Sequence, residues 1–261
     1  MLYFHDYPGS RLEVRLAARP AVRLGLRLLA PDRPGFGESS FQPGRTLSAW
    51  CGDVAQLADQ LDVERLAVVG LSGGGPYALA CAARIPKRLA GVALVGALGP
   101  LAGMRSTRGM VTLNRLALAL AARSPPLARL AIDLAVRWVR HQPERFLAHM
   151  LAGAPVADRK VLADADYRTL LAASTAEALR QGGRGVAREL TLLAQPWDFK
   201  LEEARVPVRI WQGLSDNIVP AAMARRLAGE LPHSETHWLP GEGHLSLIVR
   251  HLDAVLEDLC R

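Results

Sequence analysis

The stretch LAVVGLSGGGPY, residues 66–77, decides the fold of this chain. Residues 70–74 read GLSGG, a G-x-S-x-G pentapeptide, and four apolar residues that favour a buried strand precede it. Pro76 follows in the predicted first turn of a helix, where its missing N–H costs nothing. A strand that ends in G-x-S-x-G and passes into a helix is typical of a nucleophile elbow, a strained turn that exposes a serine hydroxyl. The sequence therefore predicts Ser72 as a nucleophile, the alternative being a tight Gly-Ser turn without catalysis.

A serine hydroxyl needs a general base, and the base needs an orienting acid. Residues 206–211 have the pattern of a buried strand, and Asp216 follows in the loop after it. A second short strand at residues 235–240 leads through Gly-Glu-Gly to His244. We predict that His244 takes the serine proton and that Asp216 fixes the imidazole, in the chain order Ser, Asp, His.

Each assignment has an alternative. His237, inside the last predicted strand, is the second candidate for the base. Asp216 has a structural alternative as an N-cap or Asx turn ahead of a helix that starts near Pro220. An acid after the preceding strand is excluded, because residues 95–100 contain no carboxylate.

Two further motifs resemble those of a known family. Residues 4–10, FHDYPGS, resemble the H-G-x-P-G-S oxyanion loop of α/β-hydrolases, and residues 31–40, PDRPGFGESS, resemble their D-x-x-G-x-G-x-S turn. Together with residues 70–77 and 241–244, they make the chain similar to small, cofactor-free serine hydrolases of that fold. The resemblance implies no cofactor and no metal.

The resemblance also implies an oxyanion hole made by the backbone N–H groups of Gly73 and Tyr7. Asp6 departs from the family pattern, which usually has glycine there. If that position requires a positive φ, aspartate is among the few residues that tolerate it. A carboxylate there would oppose the developing oxyanion unless it points away or is neutralised. His5 and Asp32 are predicted to brace the oxyanion loop and the following turn.

The alternation of strands and helices predicts an α/β fold with a mostly parallel, doubly wound sheet. Besides those already named, strands are predicted at residues 2–5, 26–30 and 89–97, and helices at residues 11–18 and 47–61. Residues 1–98 and 197–261 are predicted to form the α/β-hydrolase core. Residues 99–196 have helical spacing without strand-like runs, which predicts an all-helical cap that covers the serine. The alternative is an extra structural subdomain without substrate contact.

The chain begins at the strand that carries the oxyanion loop, whereas the family usually has two strands before it. We therefore expect either a fold trimmed to six parallel strands or a start that is mis-assigned or truncated. A sheet trimmed to six parallel strands would leave residues 26–30 as an exposed edge. Unpaired edges invite association. We therefore expect the edge to be covered, and a homodimer is one way to cover it.

Composition excludes several function classes. The 261 residues carry a net charge of +7, but the arginines are scattered among acidic residues, which argues against nucleic-acid binding. The low-polarity stretch at residues 116–122 is shorter than the roughly 20 residues of a membrane span. Three widely spaced cysteines match no metal or disulfide pattern, and they favour a reducing cytoplasm.

These features predict a serine hydrolase that cleaves a small or medium carboxylic ester. C–C bond hydrolases, perhydrolases, thioesterases and aminopeptidases share the triad and stay open as alternatives, as does a slow-turnover ligand-binding protein. An aminopeptidase usually needs acidic lid residues. Asp158, Asp164 and Asp166 are available, but a solvated helix face is the favoured interpretation.

Overall fold

A parallel β-sheet forms the centre of the structure, a computed structural model that describes residues 1–101 and 107–261. In these residues the sheet has five strands in the order β1-β2-β3-β4-β5. Their bounds are Leu2–Phe4, Leu66–Leu71, Leu89–Val95, Val208–Gly213 and Ser234–Leu239. Every neighbouring pair is parallel, so each connection crosses a face of the sheet. The predicted α/β fold class is confirmed.

Both faces of the sheet are covered by helices. These are α1 (Ala18–Arg23), α2 (Trp50–Gln60), α3 (Gly75–Arg84), α10 (Ala221–Glu230) and α11 (His244–Leu259). Successive side chains of a strand point to opposite faces. In β2, Val68 packs into the cluster that contains α2 and α3, whereas Val69 packs into the cluster that contains α11. Burial on both faces explains why the strand is apolar without alternation.

The predicted strand at residues 26–30 is wrong. Leu29 forms only an isolated parallel bridge with Leu2, through the Tyr3 N–H to the Leu29 carbonyl (2.8 Å) and the Leu29 N–H to the Met1 carbonyl (2.9 Å). The segment has a partner on one side only, and Pro31, which lacks an N–H, follows closely. The described sheet therefore has five strands rather than six, and the homodimer stays a prediction.

Two predicted helices near the N-terminus form with different bounds. A 3-10 helix covers Arg11–Ala17, and the Ser10 hydroxyl accepts the Leu12 N–H at its start (3.4 Å). The helix predicted over residues 47–61 begins only at Trp50. Polar side chains bind the preceding backbone, as in the bond from the Ala49 N–H to Thr46 Oγ1 (3.2 Å), and such local bonds compete with a helix.

Six α-helices lie between β3 and β4 in the described residues, and no described strand interrupts them. They are α4 (Thr112–Arg123), α5 (Pro125–His141), α6 (Pro143–Met150), α7 (Val156–Ala163), α8 (Ala165–Ala178) and α9 (Arg184–Ala194). Prolines open α5 and α6, where the missing N–H is harmless. Residues 102–106 of the predicted cap lie outside the described residues. None of the described helices has the length and hydropathy that crossing a bilayer requires.

Candidate active site

Ser72 lies at the tight turn between β2 and α3. Its φ is +48°, a conformation that non-glycine residues rarely adopt and that stores backbone strain. A Cβ on Gly74 would lie 2.4 Å from the Phe4 carbonyl oxygen, and one on Gly70 would lie 2.9 Å from Ala78 Cβ. The turn is therefore closed to larger side chains at both positions, and it holds Ser72 at the carboxyl end of β2.

His244 and Asp216 form a buried pair. His244 is the first residue of α11, and its Nδ1 lies 2.7 Å from Asp216 Oδ2. The other oxygen, Asp216 Oδ1, accepts the N–H groups of Ile218 and Val219, both at 2.8 Å. Asp216 thus forms the Asx turn of the alternative interpretation and also makes the predicted contact with His244. The turn fixes the carboxylate that faces the imidazole.

The surroundings of His244 act in opposite directions on its pKa. Burial of the imidazole favours the neutral form, whereas the Asp216 carboxylate, by its charge and hydrogen bond, favours the imidazolium. The charges of Asp6 and Asp158 add to the effect of Asp216, and the pKa of His244 is raised above its ordinary value of 6.5. The site therefore stabilises a proton on His244.

One cavity of about 450 Å³ joins these groups, because Ser72, Gly73, Tyr7 and His244 all line it. A Cβ on Gly73 would lie 2.6 Å from Tyr7 Cβ and 3.4 Å from the Tyr7 nitrogen, so the two predicted oxyanion-hole segments are in contact. Among the described residues, Ser72 Oγ makes no hydrogen bond to His244. Such bonds often tighten only when substrate is bound.

The rest of the cavity wall is mainly apolar and comes largely from the helices between β3 and β4. Six of these side chains are Leu118, Ile132, Leu171, Leu179, Val186 and Leu190. A mainly apolar cavity with a few polar groups is the usual form of a small-molecule site. The arrangement can hold an apolar chain with its carbonyl carbon near Ser72.

Comparison with known proteins decides the family. The family profile described as "alpha/beta hydrolase fold" matches residues 1–250. The chain belongs to this family. It is 29% identical to the pimeloyl-[acyl-carrier protein] methyl ester esterase of Aromatoleum aromaticum, over 97% of this chain and 95% of that protein. A shorter alignment with the 2-hydroxy-6-oxo-2,4-heptadienoate hydrolase of Pseudomonas putida has 37% identity and covers 31% of this chain and 30% of that protein.

Solved structures support the same α/β-hydrolase fold. The esterase EaEST from Exiguobacterium antarcticum superposes with a TM-score of 0.74 over 100% of this chain and 91% of that one, at 15% identity. Likeness at this identity shows the fold alone. The family and the esterase and hydrolase relatives together make the protein a hydrolase.

Asp6, the departure from the α/β-hydrolase pattern, is paired with a second acid. Its N–H donates to Glu13 Oε2 (2.9 Å), and Ser174 Oγ donates to Glu13 Oε1 (2.9 Å). Burial, followed by the charge of Asp6, raises the pKa of Glu13 well above its ordinary value. Asp6 Oδ1 is buried without a hydrogen-bond partner in the described part of the chain, and both acids line the cavity. Asp6 is not among the described residues with positive φ, so its backbone carries no such strain.

A buried ion-pair cluster behind the predicted oxyanion loop, residues 4–10, was missed by sequence analysis. The side chains of Arg33 and Glu189 are completely buried, and Arg33 Nη2 lies 2.7 Å from Glu189 Oε1. Arg33 also donates to the carbonyl oxygens of His5 (2.7 Å) and Asp6 (2.8 Å). Glu189 therefore holds Arg33, and Arg33 holds the oxyanion loop. No local pattern marks Glu189, which lies 156 residues from Arg33.

His5 and Asp32 brace the segments that sequence analysis assigned to them. His5 Nδ1 lies 2.9 Å from the Asp6 carbonyl oxygen, and its Nε2 accepts the Arg33 N–H (3.3 Å). Asp32 Oδ1 accepts the Arg11 N–H (2.7 Å), and Asp32 forms an ion pair with the Arg11 guanidinium. His5 therefore ties the loop at residues 4–10 to the turn at residues 31–40, and Asp32 ties that turn to the start of the 3-10 helix.

Two other expectations about charged residues have different outcomes. Asp158 was expected on a solvated helix face together with Asp164 and Asp166, and this is wrong for Asp158, which is completely buried. The other two are exposed as expected. His237, the second candidate for the base, stacks on Trp211 with ring centroids 4.1 Å apart and is not among the residues that line the cavity.

Proposed function

We propose that the protein is a serine hydrolase that cleaves a small or medium carboxylic ester through Ser72, His244 and Asp216. The observation that carries the proposal is the 2.7 Å contact of His244 with Asp216 in a cavity that also contains the strained Ser72. Catalytic triads are recognised by geometry and roles, and this one has its base oriented by a fixed acid.

In the proposed mechanism, Ser72 Oγ attacks the ester carbonyl while His244 Nε2 accepts its proton. Asp216 accepts a hydrogen bond from the Nδ1–H group and stabilises the imidazolium, an effect consistent with the raised pKa of His244. The N–H groups of Gly73 and Tyr7 stabilise the oxyanion, each contributing roughly 2.7–4 kcal/mol. In the described residues the Tyr7 N–H donates no other hydrogen bond. His244 then protonates the leaving alcohol, and water hydrolyses the acyl-enzyme.

The helices between β3 and β4 would supply the acyl specificity. We propose that residues 99–196 are a cap over a core of residues 1–98 and 197–261, because the apolar wall of the cavity comes largely from those helices. The relative from Aromatoleum aromaticum is named for a methyl ester of an acyl chain, and an ester of that kind suits an apolar cavity of about 450 Å³.

Hydrolysis of p-nitrophenyl esters from acetate to long-chain acyl groups tests the proposal. We expect activity with a maximum at short to medium chains, because a longer acyl group exceeds the cavity of about 450 Å³. The Ser72→Ala variant is the control in every assay. Absence of Ser72-dependent turnover across the series would reject the ester-hydrolase function.

A C–C bond hydrolase is the second candidate. It is favoured by the match to the 2-hydroxy-6-oxo-2,4-heptadienoate hydrolase, which is 37% identical but extends over only 82 residues. The test compares two Ser72-dependent rates, the cleavage of a 2-hydroxy-6-oxo-dienoate, followed by the loss of its chromophore, and the hydrolysis of esters. Faster cleavage of the dienoate than of any ester would favour this candidate over the first.

Replacing Asp6 with asparagine is expected to raise kcat for esters by roughly 10-fold, because it removes a negative charge that opposes the oxyanion. The acid limb of the kcat/KM profile should also move to lower pH, since the charge of Asp6 contributes to the raised pKa of His244. Steady-state kinetics from pH 5 to 9 measure both effects.

Glu13→Gln is the matched control for Asp6→Asn. Burial and the charge of Asp6 raise the pKa of Glu13 and favour its neutral form, so its replacement by a neutral amide changes the local charge less than Asp6→Asn does. We expect a much smaller effect on kcat. An unchanged rate in Asp6→Asn would mean that the carboxylate does not act on the oxyanion.

A further inference from the structure

The helix that begins with His244 takes its cap from a distant part of the chain. Gly243, at the N-cap of α11, has no side chain to accept the free N–H groups of the first turn. Asp158, in α7, supplies both acceptors, with Oδ2 receiving the His244 N–H and Oδ1 the Ser246 N–H, each at 2.9 Å. A carboxylate from the inserted helices therefore caps the first turn of the helix that carries the proposed base.

The Asp158 carboxylate lies close to the backbone of Gly243. Asp158 is completely buried, and a Cβ on Gly243 would lie only 2.4 Å from its Oδ1. The Gly243 N–H itself is taken by Ser246 Oγ (2.8 Å). Buried carboxylates are stable where they accept charge-assisted bonds at a helix N-terminus, and here no other acceptor is provided for these two N–H groups in the described residues.

We propose that Asp158 is a positioning residue for His244. By holding the first turn of α11, it sets where the imidazole lies between Asp216 and Ser72, and its charge helps to keep the imidazole basic. The inference rests on the proposed function, because it assigns Asp158 a role toward the catalytic base. It also implies that His244 is aligned only when α7 packs against the first turn of α11.

The charges around His244 determine whether its pKa should rise or fall when Asp158 is replaced. Asp216, Asp6 and Asp158 all act to raise its pKa, against burial, which acts to lower it. Glu242, two residues before His244, lies 3.4 Å from Arg250 Nη1 and 3.3 Å from His251 Nε2. Removing the charge of Asp158 should therefore lower the pKa of His244 and move the acid limb of the pH profile to lower pH.

The test compares Asp158→Asn with Asp164→Asn. Asparagine keeps the shape of Asp158 but loses its charge and can accept only one of the two bonds well. Asp164 is a matched control, because it is exposed in the same inserted region and caps only its own helix, through the Asp166 N–H (2.9 Å). The His244 imidazole is titrated by NMR, with its signal assigned by its loss in His244→Gln, and kcat and KM are measured against pH.

In Asp158→Asn we expect a lower His244 pKa, a fall in kcat of about 10- to 100-fold and little change in KM, because misplacement of a catalytic group affects the chemical step most. Asp164→Asn should leave all three unchanged. A merely structural cap would lower the melting temperature of Asp158→Asn but leave the His244 pKa and the kcat of the folded protein unchanged, and that result would overturn the proposal.

A second variant separates geometry from charge. Gly243→Ala presses a methyl group against Asp158 Oδ1 and displaces the carboxylate while its charge is retained. We expect a loss of kcat comparable to that in Asp158→Asn, and an unchanged kcat would contradict positioning. If the wild-type protein cleaves no ester, the proposed function fails, whereas the NMR titration still decides whether Asp158 acts on His244.

Discussion

Replacing Ser72 with alanine is expected to reduce kcat by about 10⁴- to 10⁶-fold for any ester that the wild-type protein cleaves. The variant loses the only proposed nucleophile, while the oxyanion hole and the apolar cavity stay in place. Binding should therefore be retained, and substrate should still protect the protein against thermal unfolding. The alanine side chain also fits the strained turn at least as well as serine, so folding is not expected to suffer.

The decisive measurement is kcat in Ser72→Ala against Ser40→Ala. Ser40 is an exposed serine between α1 and α2 that does not line the cavity. The Ser40 variant should behave as wild type. A fluorophosphonate should label wild type at Ser72, identified by peptide mass, and leave Ser72→Ala unlabelled. Residual turnover in Ser72→Ala within 10-fold of wild type would mean that another group performs the chemistry, and the triad would be rejected.

The motifs that carry the proposed catalytic residues could be predicted because they are local. Residues 66–77 specify strand, turn and helix by apolar run, glycines and proline, and β2 occupies Leu66–Leu71 as predicted. Asp216 and His244 could be chosen because parallel strands deliver the loops at their carboxyl ends to one edge of the sheet. The structure brings His244 within 2.7 Å of Asp216 and lines one cavity with His244 and Ser72.

What could not be predicted depends on contacts between segments far apart in the chain. Asp158 and His244 are 86 residues apart, and the sequence around Asp158 resembles that of any charged helix. The strand predicted at residues 26–30 has a suitable pattern, but whether a segment forms a strand depends on its partners, and Leu29 finds one on one side only. Burial and pairing of this kind are properties of the assembled fold.

Glu189→Ala is expected to reduce the free energy of unfolding by about 3–5 kcal/mol, because it leaves buried arginines without their counter-ion. Glu189 Oε2 accepts from Arg33 Nε (2.9 Å), Arg45 Nη2 (3.1 Å) and the Tyr77 hydroxyl (3.1 Å). Urea unfolding measures the loss. The control is Glu203→Ala, which removes a half-exposed partner of Arg84 (3.0 Å) and should cost about 0–1 kcal/mol.

The same substitution should also impair catalysis, which distinguishes this cluster from a purely structural ion pair. Arg33 donates to the carbonyl oxygens of His5 and Asp6, so an unpaired Arg33 that moves toward water carries the oxyanion loop with it. The triple variant Arg33→Met/Arg45→Met/Glu189→Leu removes all three buried charges and should recover much of the stability, since apolar replacements of buried ion-pair networks are often neutral. It should not recover kcat, because the bonds to the loop are lost. Recovery of both would show that the oxyanion loop holds its shape without Arg33.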